Sequence, residues 1–223
     1  MDHTFQEHFK YTHNNPYHDK LTEFGDFLLR DEDSETNKGE WNQKVFGREG
    51  VLCAEIGSGY GHFMMDYCEK HPEVNFVGMD FRFKRTFYLA KKLAAHPTKN
   101  FKYLRARGER LKFIFGENEV DHMFYFFPDP WPKKKHAKNR LFQSEFIRDL
   151  AAILKPQRTA FIVTDDETYK GQVIDHFLEN IHFRPEFPKP YFINNFEAYG
   201  QSFFNDLWVN KGRNIYYMSF IRE

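Results

Sequence analysis

The amino-acid sequence predicts an α/β domain built on a mostly parallel sheet with helices on both faces. Three observations carry this expectation: short apolar runs alternate with helical periodicity from Val51 onward, a glycine turn directly follows the first run, and carboxylates stand at the ends of others. The 223 residues, 41% hydrophobic and 29% charged, suffice for one well-packed domain and leave little for a second.

Residues 1–50 are polar and aromatic, and we expect them to form an N-terminal arm packed on a main domain of residues 51–223. Asn14, Asn15 and Pro16 mark a turn, and Leu21, Phe24, Phe27 and Leu28 give residues 21–29 a short helical face. Gly39, Gly47 and Gly50 interrupt any periodicity over residues 34–50, which read as loop. From Val51 the units follow in order. Residues 51–56 predict a strand, 57–61 a turn, and 61–70 a helix that ends before Pro72. Residues 74–79 predict the second strand, closed by Asp80, and 83–95 its helix. A third strand is expected over 101–104 and a short helix over 109–115. The aromatic run 123–127 predicts a fourth strand buried on both faces, which stops at Pro128.

Beyond it, Leu141, Phe142, Phe146, Ile147, Leu150, Ile153 and Leu154 share one helical face, and Pro156 is expected to close that helix. A fifth strand is predicted over 159–164 with Asp165 and Asp166 at its carboxyl end, then a helix over 169–181, an irregular excursion over 183–200 and a last strand over 215–221.

Composition excludes several classes. The 32 basic and 32 acidic residues balance, so the cations near residue 135 form a local patch rather than part of a uniformly basic protein. Two cysteines, Cys53 and Cys68, fall in a predicted strand and helix and read as small buried hydrophobes; neither a disulfide framework nor a thiolate-rich metal site can be built from them, and the histidines show no metal spacing. No leader and no stretch apolar enough to span a bilayer is visible, so we expect a cytoplasmic location and no membrane partner. The oligomeric state, monomer or homodimer, stays open.

Two stretches carry chemistry. Gly57, Gly59 and Gly61 after a strand let the backbone approach a ligand while the next helix presents its amino end, and Asp80 follows at a distance suited to ribose hydroxyls. A nucleotide-like cofactor fits. His62 stands where the dinucleotide fingerprint wants its third glycine, which argues against a dehydrogenase. In the second stretch, Pro128, Pro130 and Pro132 hold Asp129 and Trp131 in a stiff turn. Lys133, Lys134, Lys135, His136, Lys138 and Arg140 follow, a cationic segment whose expected guest is polyanionic. We read Trp131 as a buttress of the turn in preference to a stacking plate.

Glu55-Ile56-Gly57-Ser58-Gly59-Tyr60-Gly61 resembles the first motif of class I S-adenosylmethionine-dependent methyltransferases. Phe127-Pro128-Asp129-Pro130-Trp131-Pro132-Lys133, with His136, Lys138, Arg140 and Leu141, resembles the signature of the bacterial tRNA (guanine-N7)-methyltransferases. The likeness covers residues 51–165 and returns weakly at Lys211–Tyr216. It implies a Rossmann-like class I methyltransferase fold with seven strands, S-adenosylmethionine as cofactor, and the variable-loop guanine of tRNA as methyl acceptor. Carried over by position, it puts Glu55 and the glycine turn at the methionine end of the cofactor, Asp80 at the ribose, Asp129 at the transfer site, and Lys133 and Asp165 against the RNA substrate. Lys134, Lys135, His136, Lys138 and Arg140 are then phosphate contacts.

Three positions depart from the pattern. Arg107 replaces the family's acid near the adenine, and Ser202-Phe203-Phe204-Asn205 stands for its Thr-x-x-Glu, with backbone groups, Glu109 or Asp206 as what can substitute. Arg107, Ser202 and Asn205 are accordingly carried as cofactor and substrate contacts. The departures keep a non-catalytic tRNA-binding relative open. The likeness of the Asp-Pro-Trp turn to that of amino-methylating enzymes keeps open an N-methyltransferase of another base or of protein.

Overall fold

The computed structural model describes residues 16–20, 23–24, 27–30, 34–196 and 203–223. Its strands are β1 (Leu28–Arg30), β2 (Leu52–Ile56), β3 (Asn75–Met79), β4 (Phe101–Arg105), β5 (Val120–Phe126), β6 (Leu154–Thr164), β7 (Phe183–Pro185) and β8 (Tyr216–Arg222). They form one sheet in the order β1-β4-β3-β2-β5-β6-β8-β7, in which β8 alone runs against its neighbours. The helices are α1 (Pro16–Lys20), α2 (His62–Lys70), α3 (Phe83–Ala94), α4 (Leu111–Ile114), α5 (Ser144–Ile153), α6 (Glu167–Leu178) and α7 (Phe203–Asn210).

Alternation along the central strands explains why they are apolar throughout. Leu52, Ala54 and Ile56 of β2 pack in one core with Val77, Met79 and Met123, whereas Cys53 joins Phe63, Phe76, Phe124 and Phe126 in a second core on the other face. Both faces are covered, so neither set can be polar. Helices close each layer; Phe177 of α6 stacks on Phe220 of β8 with centroids 3.9 Å apart, and Phe63 of α2 meets Phe126 edge-on at 4.5 Å.

Five expectations are corrected. The sheet has eight strands rather than seven, because Leu28–Arg30 pairs in parallel with Tyr103–Arg105 along the edge of β4. Residues 28 and 29 are therefore extended where the end of a helix was expected, and Phe27 packs edge-on against Phe101 at 5.2 Å. An unpaired sheet edge offers a ladder of hydrogen bonds that a short amphipathic helix must match. Residues 34–50 are not simply loop: Glu35–Asn37 form a 3-10 turn and Trp41–Phe46 a π-helix ended by left-handed Gly47. Buried Trp41 drives this, donating from Nε1 to the Ile114 carbonyl at 2.8 Å, while the Glu119 carboxylate accepts from the backbone N–H of Gly39, Trp41 and Gly116.

The remaining two corrections concern the second half of the chain. β6 starts at Leu154, so Pro156 lies in the strand beside a register shift between Val120 and His122 rather than closing a helix. The region read as irregular contributes β7, hydrogen-bonded antiparallel to β8, and α7 follows it.

Candidate active site

The loops after β2, β3, β4 and β5 enclose a cavity of about 490 Å³ at the carboxyl ends of the strands. β2 lies between β3 and β5, so the chain leaves it in opposite lateral directions, and the crevice opens where that reversal occurs. The volume falls within the roughly 300–1,000 Å³ usual for small-molecule sites.

Gly57 lines the cavity. Its φ of +74° is a left-handed conformation that favours glycine, and Gly59 and Gly61 share it at +56° and +68°. The turn is stapled to the neighbouring strand: Gly57 N and Ser58 N both donate to the Met79 carbonyl, at 2.7 and 2.9 Å, and Ser58 Oγ accepts from Met79 N at 3.1 Å. Glu55 lies beneath, 4% exposed and outside the cavity lining. Burial pushes its carboxyl up to about 8, against a hydrogen bond from Ser58, and Oε2 has no partner among the described residues.

Asp80 reaches the cavity from the end of β3. Its Oδ1 accepts from Arg82 N at 2.9 Å and its Oδ2 lies 3.3 Å from Arg85 Nη1; burial raises its pKa and these cationic and N–H neighbours oppose the rise. A buried carboxylate at a strand end suits hydroxyl donors, and a second acid with an unmatched oxygen under the glycine turn suits a cationic guest. A hydroxyl-bearing, positively charged cofactor such as S-adenosylmethionine fits these residues. Arg107 lies on the rim with its guanidinium 5.6 Å from the Phe81 ring, and Glu109 lines the same wall. Among the described residues no group of three or more His, Cys, Asp and Glu could hold a metal ion.

The proline turn also lines the cavity. Phe127 takes φ +48° as the chain leaves β5, its N–H donating to the Val163 carbonyl at 2.8 Å; Trp131 takes φ +44°. Such left-handed conformations at bulky residues are strained and persist where the surroundings enforce them. Asp129 and Trp131 both line the cavity. The Asp129 side chain is 71% exposed, with Arg82 Nη2 at 3.8 Å.

The cationic segment divides. Lys133, extended just before a 3-10 stretch, Lys134–Asn139, and Lys135 and Lys138 within it are exposed. His136 packs edge-on with Trp131, centroids 5.8 Å apart. Arg140, expected at a phosphate, is 6% exposed: Nε donates to the Pro130 carbonyl at 2.8 Å, Nη1 to the Thr168 carbonyl and Gln172 Oε1, and Nη2 to Thr168 Oγ1 at 2.7 Å. It ties the turn to the start of α6, a role corrected from surface cation to internal strut.

Asp165 sits at the end of β6 in an ion pair with Arg213, whose guanidinium lies 4.0 Å from the Trp208 ring centre. Asn205 Oδ1 accepts from the Tyr217 hydroxyl at 2.7 Å. Neither belongs to the cavity lining, and Ser202 lies outside the described residues. The sequence reading missed Phe81, Arg82 and Tyr125 as lining residues. Their signal was position: the first two directly follow a strand-end carboxylate.

A family model described as "Putative methyltransferase" matches residues 49–218. The chain is 34% identical over 185 residues to the tRNA (guanine-N(7)-)-methyltransferase of Chlamydia muridarum, covering 81% of this chain and 80% of that protein. It is 40% identical over 130 residues to the protein of the same name from Enterococcus faecalis, covering 58% and 60%. Among solved structures it resembles an antibiotic-related methyltransferase, with TM-score 0.59, 16% identity, and coverage of 81% of this chain and 92% of that one. The 16S rRNA methyltransferase KamB gives TM-score 0.54 at 16% identity, covering 79% and 90%. At such identities the structural likeness speaks for the fold, a class I methyltransferase sheet.

Proposed function

The chain belongs to the tRNA (guanine-N(7)-)-methyltransferase family, and from that premise we propose that it moves a methyl group from S-adenosylmethionine to N7 of the variable-loop guanine of tRNA. The observation that supports this reading is a cavity lined by Gly57 and Asp80 together with Asp129 and Trp131. Donor and acceptor can meet there.

The bound cofactor supplies a methyl group activated by its sulfonium. Asp80 would accept from the ribose hydroxyls, Glu55 would give up its proton and offer negative charge at the methionine end, and Arg107 and Glu109 would stand at the adenine. Guanine N7 carries a lone pair and no proton, so Asp129 need not act as a base. Its carboxylate, stiffened by the prolines and by Arg140 on the Pro130 carbonyl, aligns the acceptor and favours the positive charge that passes to the purine. Lys133, Lys134, Lys135 and Lys138 hold phosphates, with Asp165 and Asn205 at the substrate side. Because N7 is engaged inside folded tRNA, the nucleotide is displaced locally before transfer.

The test is methyl transfer to unmodified tRNA, followed by borohydride reduction and aniline scission. Strand cleavage at the variable-loop guanine is expected. A methylated product that resists scission, or tRNA binding with no transfer, would overturn the reading.

A further inference from the structure

We propose that Trp131 is the plate on which the acceptor guanine stacks, and that its π face stabilises the positive charge methyl transfer puts on the purine. The proposal rests on the guanine-N7 reading of the cavity and reverses the sequence reading of Trp131 as a buttress.

A buttress hides its ring. Trp41, which is one, is 0% exposed and hydrogen-bonded at its indole nitrogen. Trp131 is 39% exposed and lines the cavity beside Asp129. Leaving a large apolar ring in water is unfavourable, and here the ring is held there actively. Its backbone sits at φ +44° between Pro130 and Pro132, and the Pro130 carbonyl is fixed by Arg140 Nε at 2.8 Å. His136 meets the indole at 88° with centroids 5.8 Å apart. Whichever ring presents its edge, His136 covers at most one indole face.

The reaction supplies the reason for an indole at this place. Guanine N7 donates its lone pair to the methyl carbon, the carbon–sulfur bond breaks with its electrons staying on sulfur, and the purine takes the positive charge; no proton moves. A neutral guanine gains ordinary stacking from the indole, whereas a purine becoming cationic gains cation–π attraction as well, for which tryptophan is the best side chain. That difference grows along the reaction, so it accelerates transfer instead of only tightening binding. Asp129 two residues earlier and the indole act on the same charge from one rigid turn.

The experiment compares wild type with Trp131→Phe and Trp131→Leu in methyl transfer to unmodified tRNA. It also measures melting temperature, S-adenosylmethionine affinity, and affinity for tRNA with and without 7-methylguanine at the acceptor position. Leucine keeps apolar bulk without a π face, and phenylalanine keeps a weaker one. We expect kcat to fall roughly tenfold in Trp131→Leu and about twofold to threefold in Trp131→Phe, with melting temperature and cofactor affinity unchanged. The affinity for methylated relative to unmodified tRNA should fall in Trp131→Leu, with the part that Asp129 supports left in place. Equal kcat in all three proteins, or losses that track melting temperature and cofactor affinity, would overturn the proposal in favour of a buttress. Absence of 7-methylguanine from the wild-type reaction would instead remove the parent reading, and this one with it.

Discussion

Glu55 is a carboxyl kept from water with one oxygen unmatched, and its titration should be visible in the whole protein. Its folded pKa of about 8 lies above the ordinary 4.5, so the folded chain holds a proton that the unfolded chain releases. The stability this contributes is complete below about 4.5 and is lost as the pH rises through 8. Melts between pH 5 and pH 8.5 should therefore fall more steeply for wild type than for Glu55→Gln; parallel curves would mean the carboxyl is not buried as described. A cationic cofactor above the glycine turn favours the ionised form, so its binding at pH 7 should release a proton, read by calorimetry in buffers of different ionisation enthalpy and absent in Glu55→Gln. Asp129 is the opposite case, an exposed carboxylate beside Arg82 at 3.8 Å. Asp129→Ala should lower methyl transfer by roughly 100- to 1,000-fold and leave tRNA affinity within about twofold, because its charge acts on the transferring methyl and not on phosphates.

The segment from Lys133 to Arg140 shows what a run of like residues conceals. Read along the chain, its cations form one patch; folded, Lys133, Lys135 and Lys138 face solvent while Arg140 is turned inward. Its partners, Thr168 and Gln172, stand 28 and 32 positions later, so no local pattern could mark it. Replacing Lys133, Lys134 and Lys135 by alanine should weaken tRNA binding and lower its salt slope by roughly 0.7–0.9 for each phosphate that the lysines no longer neutralise. Arg140→Ala should instead cost about 2–4 kcal/mol of stability, since it strands buried carbonyls and removes a packed charge; denaturant melts separate the two outcomes. The same limit governs the rest of the fold. β2 to β6 and β8 were legible because burial on both faces makes long apolar runs, and Gly57, Asp80 and Asp129 because they stand at strand ends. β1 and β7 are three residues each, too short for a period, and are set by edges that distant strands provide. The π-helix at Trp41 depends on Ile114 and Glu119, more than 70 positions away.

At the scale of the molecule, the sheet separates two aromatic cores, and the one beneath α4 and α5 is completed from outside the region of alternating strands and helices. Trp41 packs 5.3 Å from Phe115, donates to the Ile114 carbonyl, and sits on a turn whose N–H groups converge on Glu119. The change of character near Val51 is thus a boundary of pattern and not of packing. Removing the indole leaves a cavity against Phe115 and an unmatched carbonyl, at a cost of about 3–5 kcal/mol. Against a total of roughly 5–15 kcal/mol this is a large fraction, corresponding to a fall of roughly 10 °C in melting temperature for a domain of this size. Trp41→Ala should therefore melt far below wild type, and Trp41→Phe, which refills most of the volume, should lie between. A chain beginning at Val51 should fail to unfold cooperatively, because it lacks both this ring and the β1 edge beside β4. If it melted cooperatively at the wild-type temperature and bound S-adenosylmethionine equally well, residues 34–50 would be an arm laid on a finished domain rather than part of its core.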